Sequence, residues 1–269
     1  MDSGGNVRAV PTELSPHNPR IERVRDLRTP RGRSEHGCLA IEGPTLIAEA
    51  QRSGLAVREL YAVAAALAER RDLAELERTG TTIFILTERA FERVSDVETP
   101  TGLLAVVDLP SADPAAILAR PGTVLLLAGV SDPGNAGTLV RSAEAFGAAG
   151  VLFGKGGADP YAPKVVRAAM GSIFRLPVAT VEAAWLLDAV AAARRTIVAA
   201  DIDGEELGKT ALPAHALLAI GNERRGVREW LPRWDLALRI PQSGSAESLN
   251  AAVAGSVLLY EFSRAGSAS

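Results

Sequence analysis

In "TVLLLAGVSDPGNAGTLVRSAEAFG", residues 123–147, the first eight positions are too continuously apolar for a half-exposed strand and suit a buried parallel one. Asp132-Pro133-Gly134 supplies turn chemistry, and Asn135 is placed to cap a helix beginning just after it. Leu139, Ala143 and Phe146 then recur at spacings of four and three, the stripe of a helix facing a core. Gly137, Arg141 and Glu144 share the opposite side: a bare backbone, a fixed cation and a carboxylate. That side is either solvated, with Arg141 and Glu144 as a surface ion pair, or a site. An i, i+3 pair stabilises a helix by only about 0.2–0.5 kcal/mol, so stability hardly requires it.

Downstream the strand-then-helix pattern repeats. "GVLFG" (150–154), "TIVAAD" (196–201), "ALLAIG" (216–221) and "LALRIP" (236–241) read as strands. "PYAPKVVRAAMGSIF" (160–174), 181–195 and a last segment from about 246 to 263 read as helices. The alternation predicts an α/β fold with a doubly wound parallel sheet and helices on both faces. Upstream, "CLAIE" (38–42), "VRELYAV" (57–63), "TTIFIL" (81–86) and "LLAVVD" (103–108) are strand-like. "PTLIAEAQRS" (44–53), closed by Gly54, and "AALAERRDLAELERT" (65–79) are helix-like. This makes a smaller α/β domain over 19–108. Residues 1–18, rich in Pro, Gly, Ser and Asn, predict a disordered tail. Residues 109–121, with Pro110, Pro114 and Pro121 around a short apolar turn, read as a linker before a second domain over 122–265.

Composition narrows the chemistry. A single cysteine, Cys38, rules out an intramolecular disulfide and makes a cysteine metal cluster implausible. His17, His36 and His215 are too scattered for a ligand set, so no metal is expected. No basic-then-apolar signal pattern or membrane-length apolar run appears, which gives a cytoplasmic expectation without a membrane partner. The net charge of −3 argues against a general nucleic-acid binder. Yet residues 20–33 hold six arginines (Arg20, Arg23, Arg25, Arg28, Arg31, Arg33) against Glu22 and Asp26. They are either a solvated helix face with a flexible turn or a nucleic-acid grip. "RTPRGR" (28–33) looks too broken by Pro and Gly to need arginine as helix support.

Ligands of open parallel sheets gather beyond the carboxyl ends of strands. Three polar stretches fall at such ends: the opening one, "GNERRGV" (221–227) and "IPQSGSAESLNAAVAG" (240–255). Each alone reads as a glycine-containing strand-to-helix turn; together they read as one site. Gly221 would let backbone approach a ligand, Asn222 can offer amide hydrogen bonds, and Ser248 and Asn250 flank Leu249 at the start of the last helix. "GKGGADP" (154–160) lacks the spacing of a phosphate loop or dinucleotide fingerprint and is set aside.

These residues carry a resemblance. "NAGTLVR" (135–141) fits the first motif, NxGxxxR, of the SpoU (TrmH-type) RNA 2′-O-ribose methyltransferases of the SPOUT superfamily. "GNERRG" resembles the second motif and "IPQSGSAESLNAAVA" the third, in the family's order and spacing across 123–262. "DPYAPKVVRAAMGSIFRLPV" (159–178) is similar to the segment that comes after motif one. More loosely, residues 20–107 resemble the substrate-binding domain that precedes this fold in ribosomal RNA methyltransferases. There "LRTPRGRSEHGCLAIEGPTLIAEA" fits a basic loop, a strand ending in Glu-Gly and a helix.

The resemblance implies a deep trefoil knot, otherwise nearly absent from proteins, behind a small L30e-like domain. It implies S-adenosyl-L-methionine as cofactor, a homodimer, and RNA as partner. Ribosomal RNA of the large subunit is preferred; transfer RNA, or a catalytically silent RNA-binding role in ribosome assembly, are the alternatives. It assigns Arg141, Asn135, Glu223, Ser248 and Asn250 to catalysis, and Ala200, Gly221, Asn222, Ile240 and Leu249 to the cofactor. Arg28, Arg31, Arg33, Lys164 and Arg167 are then RNA contacts. Gln242 stands where many relatives have Met. A guanidinium keeps its proton at ordinary pH, so Arg141 is expected to clamp a phosphate and stabilise alkoxide charge, with Asn135 and Glu223 orienting it or the ribose.

Overall fold

The computed structural model describes residues 12–70, 76, 80–244 and 248–267. The chain divides into two compact units, with the boundary between Leu109 and Pro110.

The first unit is a five-stranded mixed sheet in the order β1-β4-β3-β5-β2. Its strands are β1 (Thr12–Glu13), β2 (Cys38–Glu42), β3 (Val57–Val63), β4 (Thr82–Leu86) and β5 (Leu103–Asp108). β1 and β3 run parallel to β4, while β5 pairs antiparallel with both β2 and β3. Ile21 and Val24 of α1 (Pro19–Asp26) and Phe91 of the helix Glu88–Val94 bury against Tyr61, Phe84 and Leu104. The disordered tail expected over 1–18 is overturned at its end. Thr12–Glu13 joins the sheet, Leu14 is buried, and the Asn18 side chain caps α1 by accepting from the Arg20 N–H at 3.0 Å. "RTPRGR" is also not a loop. Thr29 caps α2 (Pro30–His36), whose first residue is Pro30, and Gly37 ends it at φ 62°. A Thr-Pro start and a Gly stop are ordinary helix punctuation. After α3 (Pro44–Arg52), the helix expected over 65–79 is described as α4 (Ala64–Ala68); most of the rest of that stretch lies outside the described residues. The helix Glu88–Val94, α5, was not anticipated.

The second unit is a six-stranded, wholly parallel sheet in the order β11-β9-β10-β6-β7-β8. The strands are β6 (Val124–Ala128), β7 (Gly150–Gly154), β8 (Val178–Val181), β9 (Thr196–Glu206), β10 (Ala216–Gly221) and β11 (Leu236–Arg239). β6, β7 and nearly all of β10 are buried, which is why they read as unbroken apolar runs. α6 (Pro114–Ala119) and α10 (Ala183–Ala192) cover one face through Ile117, Leu118, Leu186 and Val190. Residues 109–121 are therefore no linker: α6 belongs to this core, and the buried Arg195 guanidinium gathers the carbonyls of Leu118, Arg120, Gly122 and Ala216. α7 (Pro133–Ala145), α8 (Pro163–Ala169), α9 (Ser172–Arg175) and α11 (Ala251–Ser267) complete the unit. The helix expected over 160–174 breaks at Met170, with φ 49°, followed by Gly171.

Gly137 belongs to this packing. A Cβ there would lie 2.5 Å from both the Val165 carbonyl oxygen and the Ala168 Cβ, so its bareness lets α7 and α8 touch. On α11, a Gly255 Cβ would lie 2.4 Å from a Leu139 methyl. The strand order reverses between β6 and β10, whose last residues, Ala128 and Gly221, are register partners. That boundary is where an open α/β sheet leaves a crevice.

Candidate active site

Asp132, not Asn135, caps α7: its carboxylate accepts from the Asn135 N–H at 2.7 Å, with Pro133 in the first turn. This frees the Asn135 side chain for other contacts. Its Nδ2 donates to Glu223 Oε1 at 2.9 Å, and its Oδ1 accepts from Asn250 Nδ2 at 3.0 Å. Residues 88 and 115 positions apart are thus joined through one amide. Glu223 Oε2 also accepts from Ser131 Oγ at 3.3 Å, a residue that sequence reasoning missed because no motif or periodicity marks it. Asn250 does two jobs. Its Oδ1 takes the N–H groups of Ala252 and Val253 and caps α11, while its amide reaches Asn135.

Burial pushes the Glu223 carboxyl up, but hydrogen bonds from Asn135, its own backbone and Ser131 outweigh it and hold the group below the usual carboxylate range. An ionised carboxylate that accepts but does not readily take protons orients its neighbours. Ser248 is exposed just ahead of α11, whose first residue is Ala251, so Ser248 and Asn250 precede the helix rather than form its first turns.

Two expected roles change. Asn222 is a brace: Nδ2 donates to the Gly129 carbonyl and to Ser131 Oγ, both at 3.2 Å, and Oδ1 accepts from the N–H groups of Arg224 and Arg225. Its side chain is committed to the turn 222–226. A Cβ on Gly221 would sit 2.1 Å from the Gly226 carbonyl carbon, so the bare position lets that turn fold back over the strand. What Gly221 can offer a ligand is its main chain.

Gly221 ends β10, Ile240 directly follows β11, and Ala200 lies within β9, the strand between them, just past Ala199, which pairs with both neighbours. β9 advances from Ala199 to Glu205 while β11 advances only from Ala237 to Leu238, so residues 200–204 bow out at that end. Ile202 is 66% exposed there, and Leu249 is 36% exposed in the segment before α11.

Arg141 is exposed and among the described residues has no hydrogen-bond or ion-pair partner. Glu144 does not take it; both its oxygens receive Arg175, Nη2 at 2.9 Å. At about 1.5 Å of rise per residue Arg141 stands some 9 Å along α7 from Asn135, so this chain's own network does not include it.

Of the expected RNA contacts, Arg33 is corrected. It is 2% exposed, and its Nη1 donates to the carbonyls of Leu27 and Arg28 at 3.0 and 2.9 Å, closing the end of α1. Arg28 is half-buried and bonded to the Ser95 carbonyl. Arg31 is exposed and pairs with Glu35 at 2.7 Å. Lys164 is exposed and Arg167 half-buried, both on α8.

Beside Glu223, a cleft of about 580 Å³ opens at the ends of β6, β7 and β10. Ser131, Lys155, Arg224, Arg225 and Trp230 contribute to its walls, and among the described residues Ala200, Ile240 and Leu249 do not.

Residues 122–260 match the model of the SpoU rRNA methylase family. The chain belongs to that family. Residues 18–105 match the MRM3-like substrate-binding domain. The chain is similar to the Bacillus subtilis 23S rRNA (guanosine(2553)-2′-O)-methyltransferase RlmP, 34% identical over 91% of this chain and 96% of that protein. It is 37% identical to the 23S rRNA (uridine(2479)-2′-O)-methyltransferase of Streptomyces viridochromogenes, over 61% of this chain and 60% of that one. Among solved structures it resembles the SpoU methyltransferase AviRb from the same Streptomyces in complex with AdoMet, with TM-score 0.79, 31% identity and coverage of 92% and 98%. An AdoMet-bound rRNA methyltransferase from Sinorhizobium meliloti matches with TM-score 0.81, 26% identity and coverage of 94% and 97%.

Proposed function

We propose that this SpoU family protein methylates a ribose 2′-hydroxyl in 23S ribosomal RNA, with S-adenosyl-L-methionine as donor. The observation that carries the reading is the Glu223–Asn135–Asn250 chain, which draws the three motif turns together at the switch point of a parallel sheet. The first unit's match to a substrate-binding domain supports ribosomal RNA as the substrate class.

The residues at the ends of β10 and β11 and at the outward bow of β9 fit the donor. Ala200, Ile240, Leu249 and the main chain of Gly221 offer apolar walls and backbone groups, which suit an adenine and a methionine chain. The exposure of Leu249 and Ile202 leaves apolar surface there that such a ligand covers. When bound, the donor supplies an electrophilic methyl group on a sulfonium. The 2′-oxygen forms the new bond to that carbon, the carbon–sulfur bond breaks with its electron pair left on sulfur, and the hydroxyl proton passes to water. The protein's share is alignment and charge. Asn135, fixed by Glu223 and Asn250, orients the ribose, with Ser248, two residues before Asn250, as a further polar group. Arg141 clamps the neighbouring phosphate and stabilises the developing alkoxide.

Arg141 acts across a homodimer. α11 exposes Val253, Val257 and Tyr260, an apolar stripe at i, i+4 and i+7. α7 packs beside it through Ser142–Ser256 at 2.7 Å and Phe146–Tyr260. A pairing through this face carries Arg141 to the second subunit's network. The return of the chain from β11, at the sheet's edge, to Asn250 beside Asn135 supports a trefoil knot, and the first unit's mixed sheet an L30e-like domain. RNA is also held by Arg31, Lys164 and Arg167. No described helix is long and apolar enough to cross a membrane; the enzyme works where ribosomal RNA is, in the cytoplasm.

Incubation with methyl-labelled donor and total RNA, followed by mapping of the labelled nucleotide, tests this. Label at a ribose of 23S RNA is expected; label confined to transfer RNA, or none, overturns it.

A further inference from the structure

One wall of the cleft beside Glu223 is unlike the rest. The Trp230 indole lies against two glycines at the ends of neighbouring strands. Its Cδ1 is 3.6 Å from where a Gly129 Cβ would be, and a Gly154 Cβ would stand 2.5 Å from its Cε2. Its Nε1 donates to the Lys155 carbonyl at 3.0 Å, which fixes the ring's orientation. An amphipathic ring is therefore seated rigidly, on a glycine floor, in the wall of an open cleft. Around it stand three cations, Lys155, Arg224 and Arg225. Lys155 pairs with Glu182 and Arg225 with Glu229, in both cases at the exposed surface, where such pairs exchange readily for a phosphate. Arg224 has no side-chain partner among the described residues. The cleft's remaining acid, Glu223, is engaged by Asn135 and Ser131.

A fixed, half-buried aromatic ring in an open cleft that three cations also line is the chemistry that suits one unstacked nucleotide of a single strand: base on the ring, phosphate on the cations. We infer that this cleft is a nucleotide subsite of the RNA substrate, with Trp230 as its stacking platform and Lys155 and Arg225 as its phosphate contacts. It rests on the reading of the protein as an RNA methyltransferase and adds where the strand lies: its ribose points to the Glu223 wall. Because every base has a π-face, Trp230 fixes position, and sequence choice is left to other contacts.

Two measurements test it separately from the overall function. In the first, Trp185→Phe/Trp234→Phe protein, whose only indole is Trp230, is titrated with the single-stranded RNA pentamer A5 and, separately, with inorganic phosphate. Saturable quenching by A5 is expected. Phosphate is expected to compete weakly. No quenching by A5 at low salt overturns the subsite. In the second, labelled methyl transfer to transcribed 23S rRNA is compared for Trp230→Leu, Trp230→Phe and Lys155→Ala/Arg225→Ala. Trp230→Leu is expected to raise KM for RNA about tenfold, the order lost with one base–aromatic stack. kcat and donor affinity are expected to stay within about threefold, and Trp230→Phe to restore most of the loss. The double variant is expected to lower the salt dependence of RNA binding by about two phosphate contacts. An unchanged KM in Trp230→Leu, or an unchanged salt slope in the double variant, overturns the proposal. If Trp230→Leu fails to fold, the pentamer titration and the double variant still decide. Wild-type protein that methylates no rRNA while A5 still quenches Trp230 refutes the functional reading and leaves the subsite standing.

Discussion

Residues 20–33 and helix α7 present opposite uses of arginine. In the first, all six arginines have partners. Arg20 and Arg23 meet Glu59, Arg25 meets Glu22, Arg31 meets Glu35, and Arg28 and Arg33 bond to main-chain carbonyls. Glu59 also accepts from the buried Tyr61 hydroxyl at 2.8 Å, and burial, then the Glu59 contact, pushes that phenol up to about 12. In α7 a single arginine, Arg141, stands without a partner among the described residues, and the carboxylate one turn on is taken by Arg175. Density of charge in a sequence therefore says little about binding. What sets Arg141 apart is that the fold leaves it unanswered.

The contrast is broken most directly at Arg33. Its guanidinium closes two carbonyls at the end of α1 in a setting only 2% exposed. Arg33→Ala leaves those acceptors buried and unpaired, which costs about 3 kcal/mol. Urea denaturation is expected to show a loss of that size, with donor binding to the second unit intact. A midpoint like that of the wild type returns Arg33 to the RNA-contact class.

Arg141 is the mirror case. Arg141→Lys keeps the charge but loses the planar fork, so turnover is expected to fall about a hundredfold, the scale of losing a preorganised donor. Stability and RNA affinity should barely change, since no internal contact is lost. Single-turnover methyl transfer beside a thermal melt separates the two. Near-normal turnover would falsify a specific guanidinium role.

How much of this is legible in the sequence depends on the signal. The buried strands β6, β7 and β10 read correctly because parallel strands covered on both faces leave continuous apolar runs. The meeting of Asn135, Glu223 and Asn250 is expected from motif order, but the bond pattern is not. Asp132 takes the capping role assigned to Asn135: with Pro133 directly after it, Asp132 carries the same helix-start signal as Thr29-Pro30. β8 escapes because four residues are too few for a period. Thr29-Pro30 carries a helix-start signal that is lost when Pro and Gly are weighted only as breakers. Trp230 is invisible for another reason: its seat is made by two glycines far away in sequence.

Arg31 and Lys164 give a smaller effect. Both are exposed, and Arg31's i, i+4 pair with Glu35 adds only a few tenths of a kcal/mol, about 0.3–0.5. Substituting each by Ala is expected to lower the salt slope of RNA binding by about one, leaving the melting temperature in place. A slope unchanged in both would confine RNA to the site and its cleft.

The smallest effect isolates what Arg175 contributes by answering Glu144. Hydrogen bonding from Arg175 holds the Glu144 carboxyl below its ordinary range, against the opposing effect of burial. A carboxyl lowered in the folded state stabilises at pH values above its unfolded pKa and loses that contribution as pH falls through the folded value. The pair is partly exposed, at 37% and 29% for the two side chains, so its stabilisation stays below about 1 kcal/mol. Glu144→Gln is expected to lower stability by that amount at pH 7, and the gap to wild type should close as the medium becomes acidic enough to protonate Glu144. Turnover at pH 7 should be unchanged, because Arg141 never depended on this carboxylate. If Glu144→Gln instead slows methyl transfer as strongly as Arg141→Lys does, the two side chains act together in the working enzyme, and the division between answered and unanswered arginines fails at its most informative position.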